Sequence, residues 1–133
     1  MLGMHSFRIT TRARETMIDI TGQLEELLRD VAVDSGLMVV YTPHTTTGLT
    51  INEGADPDVC RDILAHLANL IPQNAGFRHS EGNSDAHIKA TLFGSSVQII
   101  VHEGQLMLGT WQRVFLGEFD GPRTRTVWVK LLP

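Results

Sequence analysis

The chain has 133 residues, of which 42% are hydrophobic and 20% charged, a balance that fits one globular domain over residues 1–133 and excludes a disordered chain. The net charge is −4 and only Lys89 and Lys130 are lysines, which excludes a general electrostatic grip on nucleic acid. The single cysteine, Cys60, rules out an intramolecular disulfide and suits a reducing compartment. Residues Met1 to Thr10 hold His5 and Arg8 and no apolar run, and no stretch approaches the roughly 18 apolar residues of a membrane span. The expectation is a cytoplasmic protein with no nucleic-acid and no membrane partner.

In chain order, the alternation of Phe7 to Thr10 and of Thr16 to Ile20 predicts two strands. Thr21 reads as a helix N-cap, Leu24, Leu27, Leu28 and Val31 form one apolar helical stripe, and Gly36 fits the stop. Leu37 to Tyr41 is a continuous apolar run, the mark of a strand buried on both faces. A short strand over Leu49 to Ile51 follows. Asp56-Pro57 predicts a helix start, with Val59, Cys60, Ile63, Leu64 and Leu67 on its inner face and Pro72 beyond its end.

From Pro72 to Ser84 the chain has no periodic pattern, and a connection of that length in a small domain is a mark of function or mobility. Ser84 is positioned to cap a third helix, Asp85 to Leu92, stopped by Gly94. Strands are predicted where Val97, Ile99 and Val101 alternate, from Gln105 to Leu108, from Thr110 to Phe119, and from Thr126 to Leu131. Strands outnumber helices and several links are hairpin-length, so the fold class is α+β on antiparallel sheets.

Several mechanism classes are missing. There is no GxxxxGK loop, no GxGxxG after a strand, no HExxH, no paired CxxC and no GxSxG. Three segments are dense in polar chemistry. The first, Thr42 to Glu53, is rich in threonine and carries His44. It reads either as an ordinary strand-linking turn or as an imidazole set among hydroxyls and backbone N–H groups, able to take an anion or a metal. The second, Arg78 to Lys89, holds His79, Glu81, Asn83, Asp85 and His87. A loop folding back over a helix start would bring His79 and His87 together. With His44 they would make a three-histidine site with an open position, the pattern of catalytic zinc. The competing reading is a solvated loop, with Asp85 and Lys89 as an ordinary i, i+4 pair. In the third, Leu108 to Arg123, Trp111 suits stacking on a flat heterocycle or packing at a subunit contact, and Arg113, Arg123 and Arg125 supply forked donors for phosphate. Asp120-Gly121-Pro122 reads equally as a plain turn. Cys60 is assigned to the core, and His5, His66 and His102 to the surface or strand ends.

Taken together, Pro43-His44-Thr45-Thr46, Gly48 to Glu53, Asp56, His79, Glu81 to Lys89, Leu108 to Gln112 and Glu118 to Arg123 resemble the YjbQ family over nearly the whole chain. Two departures are minor. Thr47 stands where alanine is common, and His102 lies at a turn that usually lacks histidine, so no role is carried onto it.

The resemblance implies an α+β sandwich of mostly antiparallel sheets with two or three helices. It also implies a homotrimer with pockets near subunit contacts, and a weak, secondary thiamine-phosphate synthase activity acting on phosphorylated small molecules. That reaction joins a pyrimidine diphosphate to a thiazole phosphate with loss of pyrophosphate, and it needs positive charge at the leaving group. The motif histidines fall on His44, His79 and His87 as metal or anion ligands. Zinc is the metal that histidines favour, with magnesium as the alternative. His44, Glu53 and Asp85 are the candidate catalytic groups, the two carboxylates by orienting a histidine. Thr45, Asn83, Lys89, Trp111 and Arg123 are the candidate substrate contacts. The alternative function is a non-catalytic trimer that binds a small anion.

Overall fold

A computed structural model describes residues 3–133. The chain runs β1 (Met4–Thr10), β2 (Thr16–Asp19), α1 (Thr21–Val31), β3 (Gly36–Tyr41), β4 (Thr47–Glu53), α2 (Pro57–Leu70), α3 (Ser84–Phe93), β5 (Ser96–His102), β6 (Gln105–Leu106), β7 (Gln112–Glu118) and β8 (Thr124–Leu132). These make an α+β fold of two sheets, a five-stranded one ordered β1-β8-β3-β5-β6 and a three-stranded one ordered β2-β7-β4. Every strand pairing is antiparallel.

The two sheets face each other. Ile9, Met38, Val40, Ile99, Val101, Val127, Val129 and Leu131 from the larger sheet meet Leu49, Val114 and Leu116 from the smaller, and α1 adds Leu24 and Leu28. Burying a leucine of this kind contributes about 2 kcal/mol. The other face of the smaller sheet is covered by α3. Its β4 and β7 place Gly48 opposite Gly117, which leaves a hollow. A Cβ on Gly48 would lie 2.4 Å from the Cβ of Phe93, and one on Gly117 would lie 2.7 Å from its ring. The two glycines let α3 settle onto the sheet, with Phe93 packed edge-on against Phe119 at 5.0 Å.

Several local expectations are corrected. Thr21 is the first helical residue and not the cap. Its N–H donates to Asp19 Oδ1 at 2.9 Å, and its hydroxyl accepts from Val114 N–H at 2.8 Å, tying α1 to β7. The helix stops at Ala32 in a left-handed conformation, φ 58°, ahead of Gly36. Gly36 instead opens β3, where a Cβ would sit 2.1 Å from the Leu132 carbonyl oxygen. Leu37 to Tyr41 is an interior strand, but only Met38 and Val40 point into the core. Tyr41 on the opposite face is exposed and stacks on Trp128 at 5.8 Å. The α2 start is as expected, with Asp56 Oδ1 accepting from Asp58 N–H and Pro57 at the first position. Its inward side is only half-buried, Cys60 included. The third helix begins one residue earlier than expected, and Asn83 rather than Ser84 precedes it, receiving the Ala86 N–H at its carbonyl.

Candidate functional site

The cleft forms where three connections converge: the β3–β4 turn, the start of α3 with the loop before it, and the β7–β8 turn. Two adjoining cavities of about 480 and 460 Å³ share Pro43, His44, Thr45 and His87 as a common wall. The larger is completed by Thr46, His79, Glu81, Asn83, Asp120, Arg123 and Arg125.

Backbone and threonine hydrogen bonds hold the first wall. Thr42 and Thr47 join their hydroxyls at 2.6 Å, Thr42 N–H reaches the Ser95 carbonyl at 2.9 Å, and Leu49 N–H reaches the Gly94 carbonyl at 2.9 Å. The turn is therefore fastened to the end of α3. Behind it, Arg125 donates from Nη2 to Thr46 Oγ1 at 2.8 Å and through Nε to Glu118 Oε1 at 2.8 Å. Glu118 Oε1 also accepts from the Thr11 hydroxyl at 2.7 Å, and Oε2 accepts from Asp120 N–H at 3.2 Å. The buried carboxylate is thus fully satisfied, as a charge out of water requires.

His44 accepts the backbone N–H of Thr126 at Nε2, at 2.8 Å. A nitrogen that accepts carries no proton, so the ring is the neutral form with its hydrogen on Nδ1. Burial, then the charge of Arg125, lower the His44 pKa below its ordinary 6.5, against a smaller opposing pull from Glu118. His79 and His87 meet edge to face at 5.7 Å. Asn83 donates to Asp120 Oδ2 at 2.9 Å, while its own Oδ1 is buried without a partner. Arg123 donates from Nε to the Asp120 carbonyl at 2.9 Å and from Nη2 to Asp120 Oδ2 at 3.3 Å, and more than half of its side chain remains in solvent.

The fold therefore brings His44, Thr45, His79, Asn83, His87 and Arg123 to one cleft. It does not bring the others there. Asp85 and Lys89 are 0% and 1% exposed and belong to a separate buried network outside the cleft walls. Asp85 takes both guanidinium nitrogens of Arg14 at 3.1 Å and Lys89 Nζ at 2.9 Å, and Lys89 also bonds Glu15 at 2.9 Å. Burial alone would raise the Asp85 pKa, but the Arg14 and Lys89 hydrogen bonds outweigh it and hold it below 3.8. Glu53 and Trp111 lie at the far end of the smaller sheet. Glu53 accepts from Asp56 N–H and the Trp111 carbonyl accepts from Gly54 N–H, while Thr47 begins the same β4 strand at the cleft. That separation is about 20 Å at roughly 3.4 Å per residue.

The three histidines do not fit a shared zinc centre. Among the described residues no group of three or more His, Cys, Asp or Glu side chains is arranged to hold a metal ion. With Nε2 of His44 taken by Thr126 N–H, a metal at Nδ1 would require the ring to lose its last proton.

Thr46, Glu118 and Arg125 are the parts of the site that residue-type reasoning overlooks or misassigns. A signal for them exists. Glu118 is in phase with the core positions Val114 and Leu116, and Arg125 with Val127 and Val129. An acid and a base both in core register call for each other.

Comparison with known proteins agrees with this architecture. The sequence profile described as UPF0047 protein YjbQ-like matches residues 5–133. A UPF0047 protein of Methanocaldococcus jannaschii is 49% identical over 129 residues, covering 97% of this chain and 94% of that protein. The UPF0047 protein YugU of Bacillus subtilis is 45% identical over 130 residues, covering 97% and 98%. The crystal structure of an uncharacterized conserved YjbQ/UPF0047 protein from Clostridium acetobutylicum superposes with a TM-score of 0.94 at 49% identity, over 96% of this chain and 99% of that one. A hypothetical protein from Aeropyrum pernix does so with a TM-score of 0.94 at 40% identity, over 98% of each. On the profile match and these full-length identities, the chain belongs to the YjbQ-like UPF0047 family.

Proposed function

We propose that the cleft binds the phosphate of a small molecule. The observation that carries this is the convergence of hydrogen-bond donors on one cavity: the His44 ring, the solvent-facing guanidinium of Arg123, and the His79–His87 pair. Arg123 presents a fork suited to phosphoryl oxygens, and Asp120 holds it in place. Such a cleft suits the displacement that the YjbQ resemblance implies. The bond from the pyrimidine methyl carbon to pyrophosphate breaks, a bond from that carbon to the thiazole nitrogen forms, and Arg123 meets the charge on the departing pyrophosphate. In this reading the positive charge at the leaving group comes from Arg123, since among the described residues no group of three or more His, Cys, Asp or Glu side chains is arranged to hold a metal ion.

A second reading, a binding protein without turnover, is favoured by one observation. Asp85 and Lys89 are locked in ion pairs outside the cleft, so the walls carry no lysine to assist a leaving group. One experiment separates the readings. Thermal shift with inorganic phosphate and pyrophosphate is measured for wild type, Arg123→Ala and His87→Ala, and thiamine phosphate formation is then followed by chromatography. Stabilisation that weakens in both variants supports the site. Product above a blank selects the enzyme, and binding without product selects the second reading. No stabilisation of wild type overturns both.

The assembly belongs to the same proposal. The outer face of the larger sheet exposes Tyr41, Ile100, Trp128 and Leu132, an apolar surface that further copies of this chain would cover in a homotrimer. Light scattering should give three times the 14.7 kDa chain mass. A monomer overturns it. The cysteine usage suits the cytoplasm as the setting, and among the described residues no helix is long and apolar enough to cross a membrane.

A further inference from the structure

We propose that His44 sets the specificity of the cleft as a fixed, uncharged Nδ1–H donor, one that donates to an oxyanion oxygen and refuses a metal ion. The inference rests on the phosphate-binding reading for the identity of its ligand, and on the backbone of β8 for the state of its ring.

The Thr126 N–H is a donor that cannot rotate away, because Thr126 is paired with Arg8 in the antiparallel β1–β8 ladder. It reaches Nε2 at 2.8 Å, and so Nε2 is held as an acceptor. Protonating that nitrogen would set two N–H groups against each other, and the charge of the buried Arg125 further disfavours a cationic ring. The ring's one hydrogen is left on Nδ1. Among the described residues none bonds Nδ1, and it is absent from the buried polar atoms that lack a partner, so it is open to the cleft that His44 lines.

A donor of this kind discriminates by hydrogen-bond polarity. The ligand atom that meets it must accept, as a phosphoryl oxygen does, and an ammonium group placed there would set donor against donor and be left unpaired. Charge is supplied elsewhere, by Arg123. A metal ion is refused for the same reason, since Nδ1 offers a proton where a metal needs a lone pair.

The test uses the full chain labelled with ¹⁵N-histidine. Long-range proton–nitrogen correlation spectra are recorded alone, with inorganic phosphate and with zinc chloride, and the His44 signals are assigned by their loss in His44→Gln. The expected result is a protonated Nδ1 and an unprotonated Nε2. Phosphate should shift Nδ1, and zinc should leave both signals in place. A protonated Nε2, or zinc-dependent loss of the His44 signals, overturns the proposal whether or not phosphate binds. Shifts at other cleft histidines but not at His44 overturn it too, while sparing the phosphate reading. No shift anywhere overturns the phosphate reading and, with it, the role of His44 as donor to phosphate.

Two variants give an independent measure. His44→Asn places its amide N–H near the position of Nδ1 and should keep phosphate affinity within about threefold, whereas His44→Gln, whose amide reaches toward Nε2, should lose about tenfold. Equal affinities overturn the assignment of the donor atom.

Discussion

Glu118 and Arg125 meet across the sandwich, one from the inner face of each sheet. The Arg125 guanidinium donates Nε to Oε1 and Nη2 to Oε2 of Glu118, and both side chains are shut off from solvent. The pair closes the cleft end of the core, where apolar residues give way to the polar floor beneath His44. Two opposite charges here tie the sheets to each other, and Arg125 also bonds the Thr46 hydroxyl in the His44 turn.

Arg125→Gln should therefore destabilise the protein by about 3–5 kcal/mol, since it strands a buried carboxylate without its counter-charge. Replacing both partners, Glu118→Leu with Arg125→Met, should recover most of that loss. Urea unfolding of the three proteins checks the expectation, and equal losses in single and double variants would count against it.

The network around Asp85 carries an acid dependence. Its carboxyl titrates below 3.8 in the folded chain because Arg14 and Lys89 outweigh the effect of burial. A depressed folded value means that the stabilisation is complete above the ordinary value and is lost as pH falls through the folded one. Stability of the wild type should drop on acidification below about pH 4, and Asp85→Asn should flatten that drop. At neutral pH the same variant should cost about 3 kcal/mol, the lower end for a broken buried pair, because Arg14 and Glu15 are partly solvated. Unfolding curves at neutral and acid pH read both effects.

Gly117→Ala should cost about 1–3 kcal/mol, because the new methyl enters the space of the Phe93 and Phe119 rings. In a Phe93→Ala background the added cost should shrink. A double-mutant cycle measures the coupling, and strict additivity would show that the ring is not the obstacle.

Cys60 should alkylate slowly. Burial, helped by Asp19 and Glu53, raises its thiol pKa above 9.0, so little thiolate is present near neutrality. The rate with iodoacetamide at pH 7.5 is expected below that of glutathione, and Cys60→Ser should leave phosphate-induced stabilisation unchanged.

Much of the fold was legible in the residue pattern, because strand alternation and the Asp56-Pro57 start are local signals. The apolar run Leu37 to Tyr41 shows where that legibility ends. Hydrophobicity on both faces predicts burial on both, yet this chain covers only the face with Met38 and Val40. The site was legible by residue type. His44, His79, His87, Asn83 and Arg123 do share a cleft, while Lys89 and Asp85, of equally suitable chemistry, turn to the opposite side of α3 and pair with Arg14 and Glu15. Nor can residue type tell which nitrogen of His44 the backbone has claimed. That depends on Thr126, 82 residues further along the chain.

The strand order has a consequence for synthesis. β8 lies between β1 and β3, although it follows every other strand in the chain. Until it leaves the ribosome, β1 has no neighbour and β3 offers an open edge toward the gap. The larger sheet therefore cannot close before β8 has emerged, and its closure needs pairings as distant in sequence as Met4 to Lys130. Folding should be slow for a protein of this size, and a chain clipped within β8 should expose two adhesive edges and aggregate.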